Sequence, residues 1–173
     1  MEKTLNRPLA YAQIDQPLIE RIPGLTREEK IEKIASLFGE IMQTLGLDMA
    51  DDSLQGTPLR VAKMYIDEAF SGLDPHNKPS VSLFKNHYGY HQMLIEKDIT
   101  LYSHCEHHFL PIIGKVHVGY IPHEHVIGLS KINRLVQYYA KRPQVQERLT
   151  VQIAAGLKEA LGHESVEVYI KAD

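Results

Sequence analysis

Apolar residues recur at Ile31, Ile34, Phe38, Ile41 and Leu45, the three-and-four spacing of a single helix face. Thr26-Arg27-Glu28-Glu29 stands before them as a capping box and Gly46 after them as a C-cap, so a helix is predicted between. A second helix opens at Thr57-Pro58, an N-cap followed by proline at the first helical position, and runs to Phe70 before Ser71-Gly72. Pro75 to Pro79 reads as a loop. The period then changes. Ile95 to Ser103 and Ile113 to Ile121 are rich in β-formers, and Val116, Val118 and Tyr120 alternate with Lys115 and His117. Ser130 is the predicted cap of a short helix carrying Ile132, Leu135, Val136 and Tyr139. Pro143 begins a longer one, with Val145, Leu149, Ile153, Leu157 and Leu161 inward and Gly162 at its end. Val166, Val168, Ile170 and Ala172 alternate as a last strand.

Two helices, two strands, two helices and one strand make an α+β chain. The final strand has no sequential partner, and an open edge invites association, so either another chain covers it or more chain follows. Residues 1–25 carry Pro8, Pro17 and Pro23 without a sustained period and read as an arm. A helical region over 26–72 and a core over 93–173 complete the organisation. A chain of 173 residues suffices for one domain with a real core. Its net charge of -3 argues against a general nucleic-acid or anionic-membrane binder, so any basic site is local. One cysteine allows no intrachain disulfide and fits a reducing cytoplasm. No apolar stretch approaches a membrane span, and the first residues lack a signal-peptide core. A soluble cytoplasmic protein is expected.

That cysteine lies in Ser103-His104-Cys105-Glu106-His107-His108. Cys105 and His108 have the spacing by which zinc sites usually begin, a sulfur and a nitrogen donor two residues apart in one turn. Glu106 and His107 would then be held beside the metal, where a carboxylate can anchor a substrate and an imidazole can move protons. The competing reading is a histidine-rich surface turn with an incidental buried thiol. Elsewhere Arg60 and Lys63 share a helix face, and Lys131 and Arg134 repeat the spacing beside Ser130 at a helix start, where the dipole favours an anion. Together they suggest a polyphosphate pocket; separately each pair reads as a solvated face. Gln144-Val145-Gln146-Glu147 is either helix surface or a set of amides and a carboxylate facing a heterocyclic base. His76, His87, His91, His117, His123, His125 and His163 have no identifiable partner and default to surface or structural roles.

These segments closely resemble the GTP cyclohydrolase I family. The matching runs include Asp51-Asp52-Ser53-Leu54, Thr57 to Tyr65, Phe70-Ser71-Gly72-Leu73, Cys105 to Phe109, Tyr120-Ile121-Pro122, Val126 to Arg134 and Arg142 to Thr150. The resemblance covers roughly residues 26–173 and implies a tunnelling fold (T-fold): an antiparallel sheet with a helix pair, preceded here by N-terminal helices. It implies homo-oligomers, decamers of two stacked five-subunit rings with active sites between subunits. The implied reaction is zinc-dependent hydrolytic opening of the guanine imidazole ring of GTP, giving formate and 7,8-dihydroneopterin triphosphate, the first step of tetrahydrofolate and pterin synthesis. Carried onto this chain, Cys105 and His108 resemble zinc ligands and His107 the proton-transfer imidazole. Glu106, Gln146 and Glu147 resemble purine-binding groups. Arg60, Lys63, Ser130, Lys131 and Arg134 resemble the triphosphate cradle, with Ser130 also a candidate in the rearrangement. The family's third zinc ligand, a cysteine, and a second catalytic histidine are expected on a strand beyond Asp173. An excised tail, a shortened chain or a natural inactive form would each account for that ending. The alternatives are a catalytically dead T-fold subunit that binds nucleotide or joins an active paralogue, and a T-fold enzyme with a cysteine nucleophile and no metal.

Overall fold

A computed structural model describes residues 24–172. The arm expected over 1–25 lies, apart from Gly24 and Leu25, outside the described residues. Helix α1 (Arg27–Thr44) opens on the expected capping box. Thr26 Oγ1 accepts from the Glu29 N–H at 3.2 Å, and Glu29 Oε2 accepts from the Thr26 N–H at 2.7 Å. That second bond holds the Glu29 carboxyl below its ordinary range. Its contribution is therefore complete above the ordinary carboxylate value of 4.5 and is lost as pH falls through the lowered one. Thr26→Ala is expected to speed amide exchange in the first turn of α1 about fivefold at neutral pH. Unchanged exchange would mean that packing alone nucleates this end.

Of the five expected inward positions on α1, only Ile31 is fully buried; Ile41 and Leu45 are exposed, and Met42 is buried instead. The helix packs on α2 (Thr57–Lys63) as an outlying pair rather than on the main core. A bidentate pair from Arg27 to Asp67, at 2.7 and 2.5 Å, fastens its start. Gly56, not Thr57, is the N-cap of α2, because the Thr57 hydroxyl accepts from Arg60 Nη2 at 2.6 Å instead of capping. The expected helix to Phe70 is α-helical only to Lys63 and continues as a π-helical turn over Met64–Ala69. A 3₁₀ turn, Ser71–Leu73, follows, and the expected loop contains another over Pro75–Asn77.

The main sheet has the order β5-β2-β3-β6, from β2 (Leu94–Cys105), β3 (Pro111–Tyr120), β5 (Pro143–Gln144) and β6 (Val166–Ala172). β2 and β3 form an antiparallel hairpin, and β6 pairs antiparallel with β3. The last strand thus has a partner in the chain, with one edge left open. Two three-residue strands missed in the sequence, β1 (Leu83–Lys85) and β4 (His125–Ile127), pair with each other. They are too short to show alternation. Helices α3 (Leu129–Ala140) and α4 (Gln146–Leu161) pack on one face of the sheet. Leu101, Val116, Ile132, Leu135, Leu149, Ile153 and Ile170 meet there, the apolar burial that stabilises the domain.

Two helix starts differ from expectation. The N-cap of α3 is Gly128 in extended backbone, with Ser130 already inside the first turn. A Cβ at Gly128 would lie 3.2 Å from the Phe84 ring, so the chain enters this helix through a tight glycine. Pro143 begins a strand, not a helix: β5 runs parallel to β2 with Cys105 opposite Gln144. Proline's fixed φ suits extended backbone as well as a helix start, and Val145 is extended too, so α4 begins at Gln146.

Candidate active site

The Cys-Glu-His-His turn closes the β2–β3 hairpin. Cys105 ends β2; its N–H donates to the Leu110 carbonyl at 2.8 Å, and its carbonyl accepts from the Phe109 N–H at 2.8 Å. Phe109 closes the turn at φ 56°, in the left-handed region disfavoured for a residue with a Cβ. Its ring is held against Phe70 at 5.0 Å and edge-on to Tyr65 at 6.2 Å. Phe70 also meets the His104 ring at 5.4 Å. Burial depresses the His104 pKa, because desolvation disfavours the charged imidazolium. The π-helical turn therefore buttresses the cysteine turn through an aromatic cluster.

From the other side, the Glu106 N–H donates to the Gln144 carbonyl at 3.0 Å, joining the turn to β5 and the start of α4. Arg148 Nη2, in the first turn of α4, donates to Glu106 Oε2. Glu106 Oε1 stands 3.7 Å from His107 Nε2, and His107 Nδ1 lies 3.6 Å from Cys105 Sγ. Of the expected site residues the structure thus brings Cys105, Glu106 and His107 into one file. His108 is exposed, its ring 6.3 Å from that of His107. Among the described residues no group of three or more His, Cys, Asp or Glu is placed to hold a metal ion. The expected ligands Cys105 and His108 are a thiol and an imidazole, donor types that suit zinc chemically.

Gln146 and Glu147 are exposed at the start of α4, and Gln146 Nε2 donates to the Ile170 carbonyl at 3.2 Å. Gln144 is buried; its amide donates to the Tyr139 carbonyl and to Gln152 Oε1, so it is a core group. The basic residues are not gathered into one contact. Arg60 Nη2 donates to the Ser53 carbonyl at 3.0 Å as well as to Thr57, and Lys63 is exposed on the same helix. Ser130 and Lys131 lie in the first turn of α3, with the Lys131 N–H on the Gly128 carbonyl at 2.8 Å. Arg134 lines a groove of about 430 Å³ with Asp67, Asn77, Asn133 and Lys141.

Sequence reasoning gave no role to Arg148 or to the aromatic buttress. Glu106 and Arg148 are 42 residues apart, so no local spacing signals their pairing. A left-handed phenylalanine has no sequence signature at all.

Residues 34–173 match the family model for GTP cyclohydrolase I. The chain is 59% identical over 156 residues to GTP cyclohydrolase 1 of Flavobacterium johnsoniae, covering 90% of this chain and 70% of that protein. It is 52% identical over 168 residues to GTP cyclohydrolase 1 of Escherichia coli, covering 97% of this chain and 76% of that one. The chain belongs to the GTP cyclohydrolase I family. The α+β arrangement of sheet, paired helices and N-terminal helices agrees with the tunnelling fold of that family. No helix among the described residues is long and apolar enough to cross a membrane.

Proposed function

We propose that this chain is a subunit of a zinc-dependent GTP cyclohydrolase I that opens the guanine imidazole ring of GTP and releases formate and 7,8-dihydroneopterin triphosphate. The observation that carries the reading is the junction of the Cys105–His108 turn with the first turn of α4, made through Glu106, Gln144 and Arg148. It ties the backbone and carboxylate of Glu106 to the segment that leads into Gln146 and Glu147. Membership of the family, with relatives named GTP cyclohydrolase 1, supports the same reading.

In this proposal Cys105 and His108 hold zinc together with a cysteine from beyond Asp173. The ion, when bound, supplies Lewis acidity that makes water nucleophilic near neutral pH. Glu147, with Gln146 and Glu106, accepts from the N–H edge of the guanine and orients C8. His107 moves a proton to or from the opening ring, an imidazole's natural task at this pH. Lys131, Arg134, Arg60 and Lys63 neutralise the triphosphate, and Ser130 supplies a hydroxyl for the rearrangement. The assembly is a homo-oligomer, a decamer of two pentameric rings, in the cytoplasm, with sites completed between subunits. A second reading has one observation in its favour: carboxylate, imidazole and thiol stand in file (Glu106, His107, Cys105), the order in which an imidazole activates a cysteine nucleophile without metal.

Removing the carboxylate of Glu147 leaves guanine donors unpaired, so Glu147→Ala is expected to weaken GTP binding about a hundredfold. Lys131→Ala and Arg134→Ala are each expected to weaken it about tenfold and to flatten its salt dependence. Calorimetric titration with GTP and guanosine checks all three. Equal affinity of the parent protein for both ligands would overturn the cradle.

A further inference from the structure

Arg148 reaches out of the first turn of α4 to a carboxylate 42 residues earlier, and both side chains are largely withdrawn from water, at 18% and 24% exposure. Its other terminal nitrogen, Nη1, is buried with no hydrogen-bond partner among the described residues. A guanidinium that merely decorated the surface would keep its N–H groups hydrated, because stripping water from them is costly. Here the cost is offset by one charge-assisted bond to Glu106 Oε2. That bond leaves Glu106 Oε1 facing His107 Nε2 at 3.7 Å.

We propose that Arg148 is a positioning residue, which fixes the Glu106 carboxylate in the one orientation that serves both the purine and His107. The inference rests on reading Glu106 as a purine-binding group. A glutamate has three side-chain torsions, and leaving them free would spread its oxygens over several rotamers. Clamping one oxygen sets the direction of the other before substrate arrives, so the site binds without first ordering that side chain. Arginine suits the task because its planar fork is permanently charged and pre-organised, which a lysine ammonium is not. Arg148 itself need not touch substrate.

The test is a double-mutant cycle in the zinc-loaded oligomer, using Arg148→Met, Arg148→Lys, Glu106→Gln and the Glu106→Gln/Arg148→Met pair. KM and kcat for GTP, zinc content and the thermal midpoint are measured for each. Arg148→Met is expected to raise KM for GTP about tenfold to a hundredfold with a smaller change in kcat and unchanged zinc. Arg148→Lys should recover part of the loss. The double variant should be no worse than Glu106→Gln alone, because a residue that acts through another adds nothing once its target is gone. Additive losses would overturn the proposal. So would a lowered thermal midpoint with KM unchanged, the signature of a purely structural arginine. A parent protein with no turnover of GTP would remove the reading of Glu106 and the inference with it. Turnover by the parent with an unaltered KM in Arg148→Met would overturn the inference alone.

Discussion

Replacing His108 by alanine is expected to strip zinc from the protein and abolish GTP turnover, whereas His107→Ala should keep the metal and lose about a hundredfold to ten-thousandfold in rate. The two residues are adjacent, so any difference reports their roles rather than their neighbourhood. A ligand holds the ion and everything the ion supplies; a proton-transfer group acts on the substrate while the ion stays. Metal analysis by plasma emission, alongside formation of dihydroneopterin triphosphate, reads both properties from one preparation. The 3.6 Å approach of His107 Nδ1 to Cys105 Sγ gives the reverse assignment a concrete form. If His107→Ala lost zinc while His108→Ala kept it and still turned over GTP, the roles would be exchanged. If both kept zinc and full activity, neither histidine would have the role assigned to it. A metal-free parent in which Cys105→Ser alone abolished turnover would favour the cysteine-nucleophile reading.

What the sequence disclosed and what it hid divide along a physical line. Features written in local spacing were legible: the capping box at Thr26, the alternation of Val116, Val118 and Tyr120, and the glycine at Gly162 in left-handed conformation. Ambiguity entered where one residue suits two local structures. Pro143 and Ser130 both carry helix-start signals, yet pairing with β2 drew Pro143 into a strand, and Gly128 took the cap from Ser130. Exposure of Ile41 and Leu45 is a third case: a helical period predicts which residues share a face, not whether anything in the same chain covers it.

The candidate site shows the same division. Cys105, Glu106, His107 and His108 stand out in the sequence because they are contiguous, and their turn is held for reasons the motif does not contain. Phe109 is held in the left-handed region by ring contacts from a π-helical turn some forty residues earlier, and Glu106 by an arginine 42 residues later. Long-range contacts of this kind leave no period in the chain. They set the direction of the Glu106 carboxylate and hold the turn all the same, since a turn closed by a strained residue persists only while its surroundings over-determine it.

Gly72→Ala is expected to be the most destabilising single-methyl change in the described structure. Gly72 is buried in the 3₁₀ turn after the π-helical segment, against the C-terminal end of α3. Its N–H donates to the Lys141 carbonyl at 2.8 Å, and its carbonyl accepts from Arg142 Nε at 2.8 Å. Arg142 is itself buried, its guanidinium 4.7 Å and 4.9 Å from the ring centres of Tyr138 and Tyr139. A Cβ on Gly72 would fall 2.0 Å from the Tyr138 carbonyl oxygen and 2.7 Å from that of Lys141. Both are backbone atoms, so neither can rotate away; the turn must withdraw from α3 and give up bonds at each end. The cost should be about 3 kcal/mol or more, a fall of roughly 6–12 °C in thermal midpoint for a chain of this size. Gly46→Ala is the control. Its φ of 80° makes alanine strained, but nothing lies within 4 Å of the new methyl, so about 1–2 kcal/mol is expected there. Calorimetry of the two variants side by side separates the causes. A Gly72→Ala midpoint within a degree or two of the parent would show that α3 yields to the methyl and that this turn does not anchor it. A loss equal to that of Gly46→Ala would mean that the two carbonyls move aside at little cost. A much larger loss at Gly72 would tie the π-helical turn, and with it the aromatic buttress of the cysteine turn, to the end of α3.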